Sequence, residues 1–182
     1  LLDGFAHEYW FEEMQRQGFP VTSTETQLPQ ARLKLADGIA PSVMDGLTVD
    51  DWREASRACK SAGLRSETFA LDAPLVGATP AQLRKQLTPY VVGTHNCVVE
   101  LLQPRGQNKY GIFLSRESEA VVYTYERVAV DPRVAHTLNV KVDEYGDVLE
   151  TASVVYPRQI PDAALPLETQ QAQNTSYITY NE

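Results

Sequence analysis

The sequence predicts a mainly β protein, an antiparallel meander or curved sheet carrying one clear α-helix and preceded by an irregular N-terminal arm. Residues 90–180 supply the first observation, a succession of segments rich in Val, Tyr, Thr, Leu and Ile separated by turn residues. The second is a single stretch, residues 49–62, that combines start signals, helical periodicity and stop signals. The third is residues 21–44, where Thr22, Ser23, Thr24, Gln27, Pro29, Gly38 and Pro41 interrupt every periodic run. The chain accordingly divides into an arm (1–47), a helix with a strand and connecting turn (48–88), and a β-meander (89–182), the last two forming one unit.

In chain order, Phe5, Tyr9, Trp10 and Met14 fall near helical spacing before Gly18 and Pro20 stop the pattern, so residues 5–17 read as a short helix or an extended arm. Residues 21–44 read as a long connection, and one of that length in a small domain is expected to cover a neighbouring surface. Thr48 is placed to N-cap the helix at 49–62, with Asp50 and Asp51 in its first turn and Arg57 and Lys60 in its last. Trp52, Ala55, Cys59 and Ala62 mark its inward face, Arg53, Arg57 and Lys60 its wet face, and Gly63 its left-handed cap. Alternation over 64–72 predicts a strand, and Thr79-Pro80 open a helical turn over 81–87. Strands follow at 90–102, 109–115, 120–127, 134–142, 148–156 and 175–180. Within 134–142, Val134, Leu138, Val140 and Val142 alternate with Thr137, Asn139 and Lys141, and Gly146 permits the positive φ that closes an antiparallel hairpin over 143–147.

Composition narrows the function. The 182 residues carry a formal charge of −8, with 43% apolar and 22% charged side chains, which describes a globular chain with an acidic surface. Such a surface repels phosphate and lacks the positive field that nucleic acids and anionic membranes require. No uncharged apolar run approaches the roughly 18 residues of a membrane span, and Leu1-Leu2-Asp3-Gly4-Phe5 lacks the basic region of a signal segment. The chain opens on Leu and ends within a strand-like run, which reads as a piece of something longer. Cys59 and Cys97 fall on segments of different type, a pattern of reduced, packed thiols rather than of a disulfide scaffold.

Candidate chemistry is sparse. His7, His95 and His136 lack the helical spacing of a zinc hydrolase, so no metal site is expected, and His136 reads as a hydrogen-bonded residue on a packed face. His95 shares the phase of Cys97, which keeps a Cys/His hydrolase as a rival reading. Glu12-Glu13, Asp50-Asp51 and Asp143-Glu144 read as solvated carboxylates, and Arg105, in the loop 103–108, as part of a plain turn rather than an anion site. No glycine motif for acyl, phosphoryl or hydride transfer is present, so no catalytic or cofactor-binding residue is assigned. The nine tyrosines, all but Tyr9 in the second half, suit cross-strand packing, with a carbohydrate-binding β-sandwich as the alternative.

A family resemblance enters through longer strings. Asp131-Pro132-Arg133-Val134-Ala135-His136-Thr137-Leu138, Val142-Asp143-Glu144-Tyr145-Gly146-Asp147-Val148-Leu149 and Val155-Tyr156-Pro157-Arg158 resemble the middle region of the B component of bacterial insecticidal Tc toxin complexes. Asp51-Trp52-Arg53-Glu54-Ala55, Leu64 to Asp72, Val99 to Gly106, Tyr123 to Arg127 and Tyr177 to Glu182 extend the similarity over most of residues 8–182, most weakly at 11–47. The Asp-x-x-Gly-x-Val/Leu form at 143–149 is similar to the turn of Rhs-type repeats. The resemblance implies a wall segment of a β-shell that B and C components build around a toxic cargo, without catalysis. It further implies the remainder of B, the C component and the cargo as partners, no nucleic-acid or membrane contact by this segment, and a complex made in the bacterial cytoplasm and secreted. The family's docking propeller and self-cleaving region find no counterpart here, and an acidic wall would hold a basic, partly unfolded cargo without gripping it.

Overall fold

A computed structural model describes residues 2–60 and 62–182, so Leu1 and Ser61, the latter within the expected helix, lie outside the described residues. Its centre is an open, seven-stranded mixed sheet in the order β1-β3-β4-β5-β6-β7, with β2 also paired to β3. The long strand β3 (Val91–Gln103) and β4 (Ile112–Thr124) form the spine, and β5 (Arg133–Val142), β6 (Val148–Val155) and β7 (Tyr177–Asn181) extend it antiparallel. The meander expected from the sequence is therefore present. Along the far side of β3, β1 (Arg32–Leu35) runs parallel and β2 (Arg65–Thr68) antiparallel. The parallel β1 lies inside the stretch expected to be a plain connection, where Leu33 and Leu35 alternate with Arg32 and Lys34 over too few residues to stand out.

Two further departures have local causes. The strands expected at 109–115 and 120–127 are one strand, because the polar stretch Arg116-Glu117-Ser118-Glu119 is paired rather than turned. Arg116 binds Glu100 at 2.8 Å, Glu117 binds His95 and Glu119 accepts from Asn96, while the register passes from Asn96↔Glu119 to Cys97↔Glu117 across a bulge at Ser118. In β5 a second bulge leaves Val140 without a partner between Asn139↔Thr151 and Lys141↔Glu150, and Val140 is 55% exposed rather than packed. The hairpin between β5 and β6 closes as expected, with Gly146 at φ +97° and Asp143 Oδ1 accepting the N–H groups of Tyr145 and Asp147 at 2.9 Å.

Helices cover parts of both faces. A 3-10 turn, Leu2–Glu8, leads into α1 (Trp10–Arg16), which settles residues 5–17 as helical and buries Trp10 and Met14 against Val92, Val121, Tyr123 and Tyr125. Phe19, Val21 and Leu28 of the following connection pack on the same cluster, so this segment does cover a surface. A single turn, α2 (Ser42–Asp45), precedes α3 (Val49–Ala58), which is shorter than expected. Thr48 and Asp51 cap its start reciprocally, while its end tightens into i−3 hydrogen bonds from Cys59, Lys60 and Ala62, and Gly63 takes no positive φ. The short α4 (Pro80–Leu87) starts at Thr79 as expected, and α5 (Leu167–Gln173), which the sequence did not announce, lies between β6 and β7.

The exit of β4 is held by ionic clamps. Glu126, Arg127 and Asp131 all have positive φ, and Arg127 grips both carboxylate oxygens of Asp72, at 2.7 and 2.6 Å. Buried Asp131 accepts from Arg158 Nε at 2.9 Å and from the backbone N–H groups of Gln159 and Ile160. Burial opposes the charge of Asp131, but Arg158 and the two amides outweigh it and hold the carboxyl below its ordinary 3.8. Because its pKa is depressed on folding, Asp131 stabilises the fold fully above about pH 4, and this contribution disappears as pH falls through the depressed value. Asp131→Asn, which tolerates the same backbone, is expected to melt below the parent at neutral pH and to converge on it in acid, as thermal scans across pH would record.

Candidate functional site

By strand alternation Val92, Thr94 and Asn96 share the face covered by α1, while Cys97, Val99 and Leu101 point to the face covered by α3. Each face carries one polar constellation. On the α1 face Arg65 pairs with Glu25 at 2.8 Å and with Glu67 at 2.5 Å, all three side chains nearly buried. Glu25 also accepts from Trp10 Nε1 at 2.8 Å and from the Tyr125 hydroxyl at 2.9 Å, and Arg65 lies 4.0 Å from the centre of the Tyr9 ring. Nothing in the sequence signalled this hub, since its members lie on four separate segments.

On the other face a cleft of about 340 Å³ opens between α3, the connection 27–33 and β3, with Leu28, Leu33, Trp52, Cys59, His95 and Cys97 among its lining residues. Ala55 of α3 is buried as expected and Arg53, Arg57 and Lys60 are exposed, but Trp52 is 48% exposed on the cleft wall. Buried Asp51 takes the inward place instead, correcting both that face assignment and its reading as a solvated carboxylate. Thr48 holds the carboxylate there, its N–H and hydroxyl donating to Asp51 at 2.8 and 2.6 Å, with Arg105 3.4 Å away. The loop 103–108 turns as expected, the Asn108 N–H donating to the Arg105 carbonyl at 2.7 Å, while the Arg105 side chain pairs with Glu54 at 2.6 Å and Glu54 also accepts the Gly111 N–H. Hydrogen bonds from Thr48, with a smaller contribution from Arg105, lower the Asp51 pKa and keep it charged there.

The suspected nucleophile Cys97 and His95 both line this cleft. Cys97 Sγ faces Cys59 Sγ at 3.3 Å, and both cysteines are free. Burial, followed by the neighbouring Cys59, pushes the Cys97 thiol up to about 11, so at neutral pH it is protonated and a poor nucleophile. His95 Nδ1 is engaged by Glu117 at 2.6 Å. His136 bonds Glu119 at 3.1 Å and the Tyr156 hydroxyl at 3.0 Å, the packed, hydrogen-bonded role its strand phase suggested, and His7 is exposed beside Glu8. Among the described residues no group of three or more His, Cys, Asp or Glu is arranged to hold a metal ion.

Part of the tyrosine set takes the packing role the sequence suggested. Tyr123 and Tyr125 stack at 6.4 Å, both buried, and Tyr156 stacks on His136. Tyr177 and Tyr180 are exposed on opposite faces of β7, where the Tyr180 hydroxyl donates to Glu150. Of the remaining carboxylate pairs, Glu13 binds Arg16 and Asp50 binds Arg53 on exposed helix surfaces. Among the described residues no helix is long and apolar enough to cross a membrane.

An open mixed sheet with helices clamped on both faces is the architecture, and comparison with known proteins gives it a family. Residues 54–182 match the family described as the insecticide toxin TcdB middle/C-terminal region, and the chain belongs to that family. Its fold is similar to that in a crystal structure of TcdB2-TccC3 without the hypervariable C-terminal region, with a TM-score of 0.62 and 22% identity over 92% of this chain and 8% of that one. The Photorhabdus luminescens Tc holotoxin pore matches with a TM-score of 0.61 and 21% identity over 93% of this chain and 8% of that one. A further TcdB2-TccC3 crystal structure matches with a TM-score of 0.59 and 23% identity, covering 86% of this chain and 7% of the other. The chain thus spans under a tenth of the length of these structures. No curated protein sequence matches it.

Proposed function

We propose that this chain is a non-catalytic wall segment of a β-shell that encloses toxin cargo in a Tc-like complex, working together with the remainder of a B component and a C component. The carrying observation is the open sheet: its last strand, β7, pairs with β6 on one side only and exposes every residue, including Tyr177, Ile178 and Tyr180. An unpaired edge with apolar side chains calls for a further strand or a neighbouring layer. In this reading the helix–strand segment (48–88) and the meander (89–182) act as one unit carrying the arm (1–47), with no catalytic, cofactor-binding or metal-binding residue and no contact with nucleic acid or membrane. The complex is made in the bacterial cytoplasm and acts outside it.

The test compares complete toxin complexes with and without Val92→Asp, which places a charge at a fully buried (0% exposed) position in β3. Enclosure predicts that added protease reaches the cargo in the variant complex and not in the parent, while released cargo keeps its own activity. Val140→Asp, at the exposed bulge of β5, should leave the cargo protected and serves as the control. Cargo that stays protected in the Val92→Asp complex would refute the wall reading, and a small-molecule turnover lost with that substitution would make the segment an enzyme.

A further inference from the structure

The two thiols in the cleft are the feature that the wall role leaves unused. Cys59 ends α3, Cys97 sits in the middle of β3, and their sulfurs lie 3.3 Å apart although 38 residues separate them in sequence. Forming a disulfide of about 2.05 Å requires an approach of roughly 1 Å. Ser115 Oγ, from β4, lies 3.7 Å from Cys59 Sγ as a donor, so this sulfur is held between the two central strands. Both cysteines line the cleft, and Cys59 is the less buried of the two, which gives a dissolved oxidant a route to it.

We propose that Cys59 and Cys97 form a modification site at which a small-molecule disulfide, such as oxidised glutathione, staples the end of α3 to β3. The Cys59 thiolate attacks one sulfur of the oxidant, whose S–S bond breaks, and one glutathione leaves and takes up a proton. Cys97 then loses its proton to solvent and attacks Cys59 Sγ, and the bond between Cys59 and the second glutathione breaks. Two protein thiols are oxidised, one small disulfide is reduced to two thiols, and no other reactant is needed. Burial raises the Cys97 pKa, so the second step quickens as pH rises. The product closes a long loop and removes freedom from the unfolded chain, so the bonded form is the more stable one.

The experiment treats the full chain with oxidised glutathione at pH 8.5 and follows intact mass, cysteine peptide linkage and melting temperature. The expected product is a monomer lighter by about 2 Da, with the peptides of Cys59 and Cys97 linked. Its melting temperature should rise by roughly 10 °C and return on adding dithiothreitol. Cys97→Ser, checked for native circular dichroism, should stop at a glutathione adduct on Cys59, and Cys59→Ser should yield no linked product. A parent chain that stays reduced, keeps glutathione adducts or forms only intermolecular dimers overturns the assignment. So does a linked chain whose melting temperature does not rise.

Discussion

Replacing Glu25 by Ala is expected to cost about 3–5 kcal/mol of stability, although Glu25 lies in a segment without regular secondary structure. Its carboxylate is the shared acceptor of Trp10 Nε1, the Tyr125 hydroxyl and Arg65 Nη1, at 2.8, 2.9 and 2.8 Å. The Tyr125 hydroxyl is held as a donor, since burial, and then the Glu25 charge, push its pKa far above the ordinary value. Burial opposes the charge of Arg65, and the two carboxylates overcome that and raise its pKa. Truncation leaves Arg65 its bond to Glu67 but strands two buried donors, each costing about 1–3 kcal/mol, and removes half of the compensation for a buried guanidinium. Glu25→Gln keeps an acceptor for Trp10 and Tyr125 and should therefore lose distinctly less. Urea unfolding with an unchanged slope measures both, and a loss below about 1 kcal/mol for Glu25→Ala would remove the hub from the account of stability.

That hub also marks where the sequence stops being legible. Features set by neighbours in sequence could be read directly: Thr48 and Thr79 as helix caps, the hairpin around Gly146, and the succession of strands after Pro89. Features set by pairing across the chain could not. Arg65 meets Glu25 across 40 residues and Tyr125 meets Glu25 across 100, so no window of periodicity contains either pair. The charged run at Arg116 to Glu119 resembles a turn until its partners on β3 and β5 are known, and β1 is too short to stand out without β3 beside it. The same holds for the cleft, since residue spacing places Cys59 and Cys97 on a helix and a strand but says nothing of the 3.3 Å between them.

The two tryptophans make the distinction measurable, because helical periodicity treats them alike and tertiary packing separates them. Trp10 is 2% exposed, packs edge-on to Tyr125 at 5.0 Å and donates to Glu25, whereas Trp52 is 48% exposed on the cleft wall. Emptying the Trp10 site should cost about 3–5 kcal/mol, the range for deleting a large buried aromatic. Trp52→Ala should cost below about 1 kcal/mol, since water already reaches much of the ring. The order is the reverse of what the stripe Trp52, Ala55, Cys59 implies, because α3 turns Asp51, capped by Thr48 and 3.4 Å from Arg105, to the interior and leaves Trp52 at the rim. Arg105→Ala leaves Asp51 without that partner and should therefore shrink the gap between the two tryptophan variants by making Trp52 matter more. Unfolding curves that rank Trp52→Ala as the costlier change in the parent background would return the inward face of α3 to the tryptophan and take the clamp at Arg105 out of the fold's explanation.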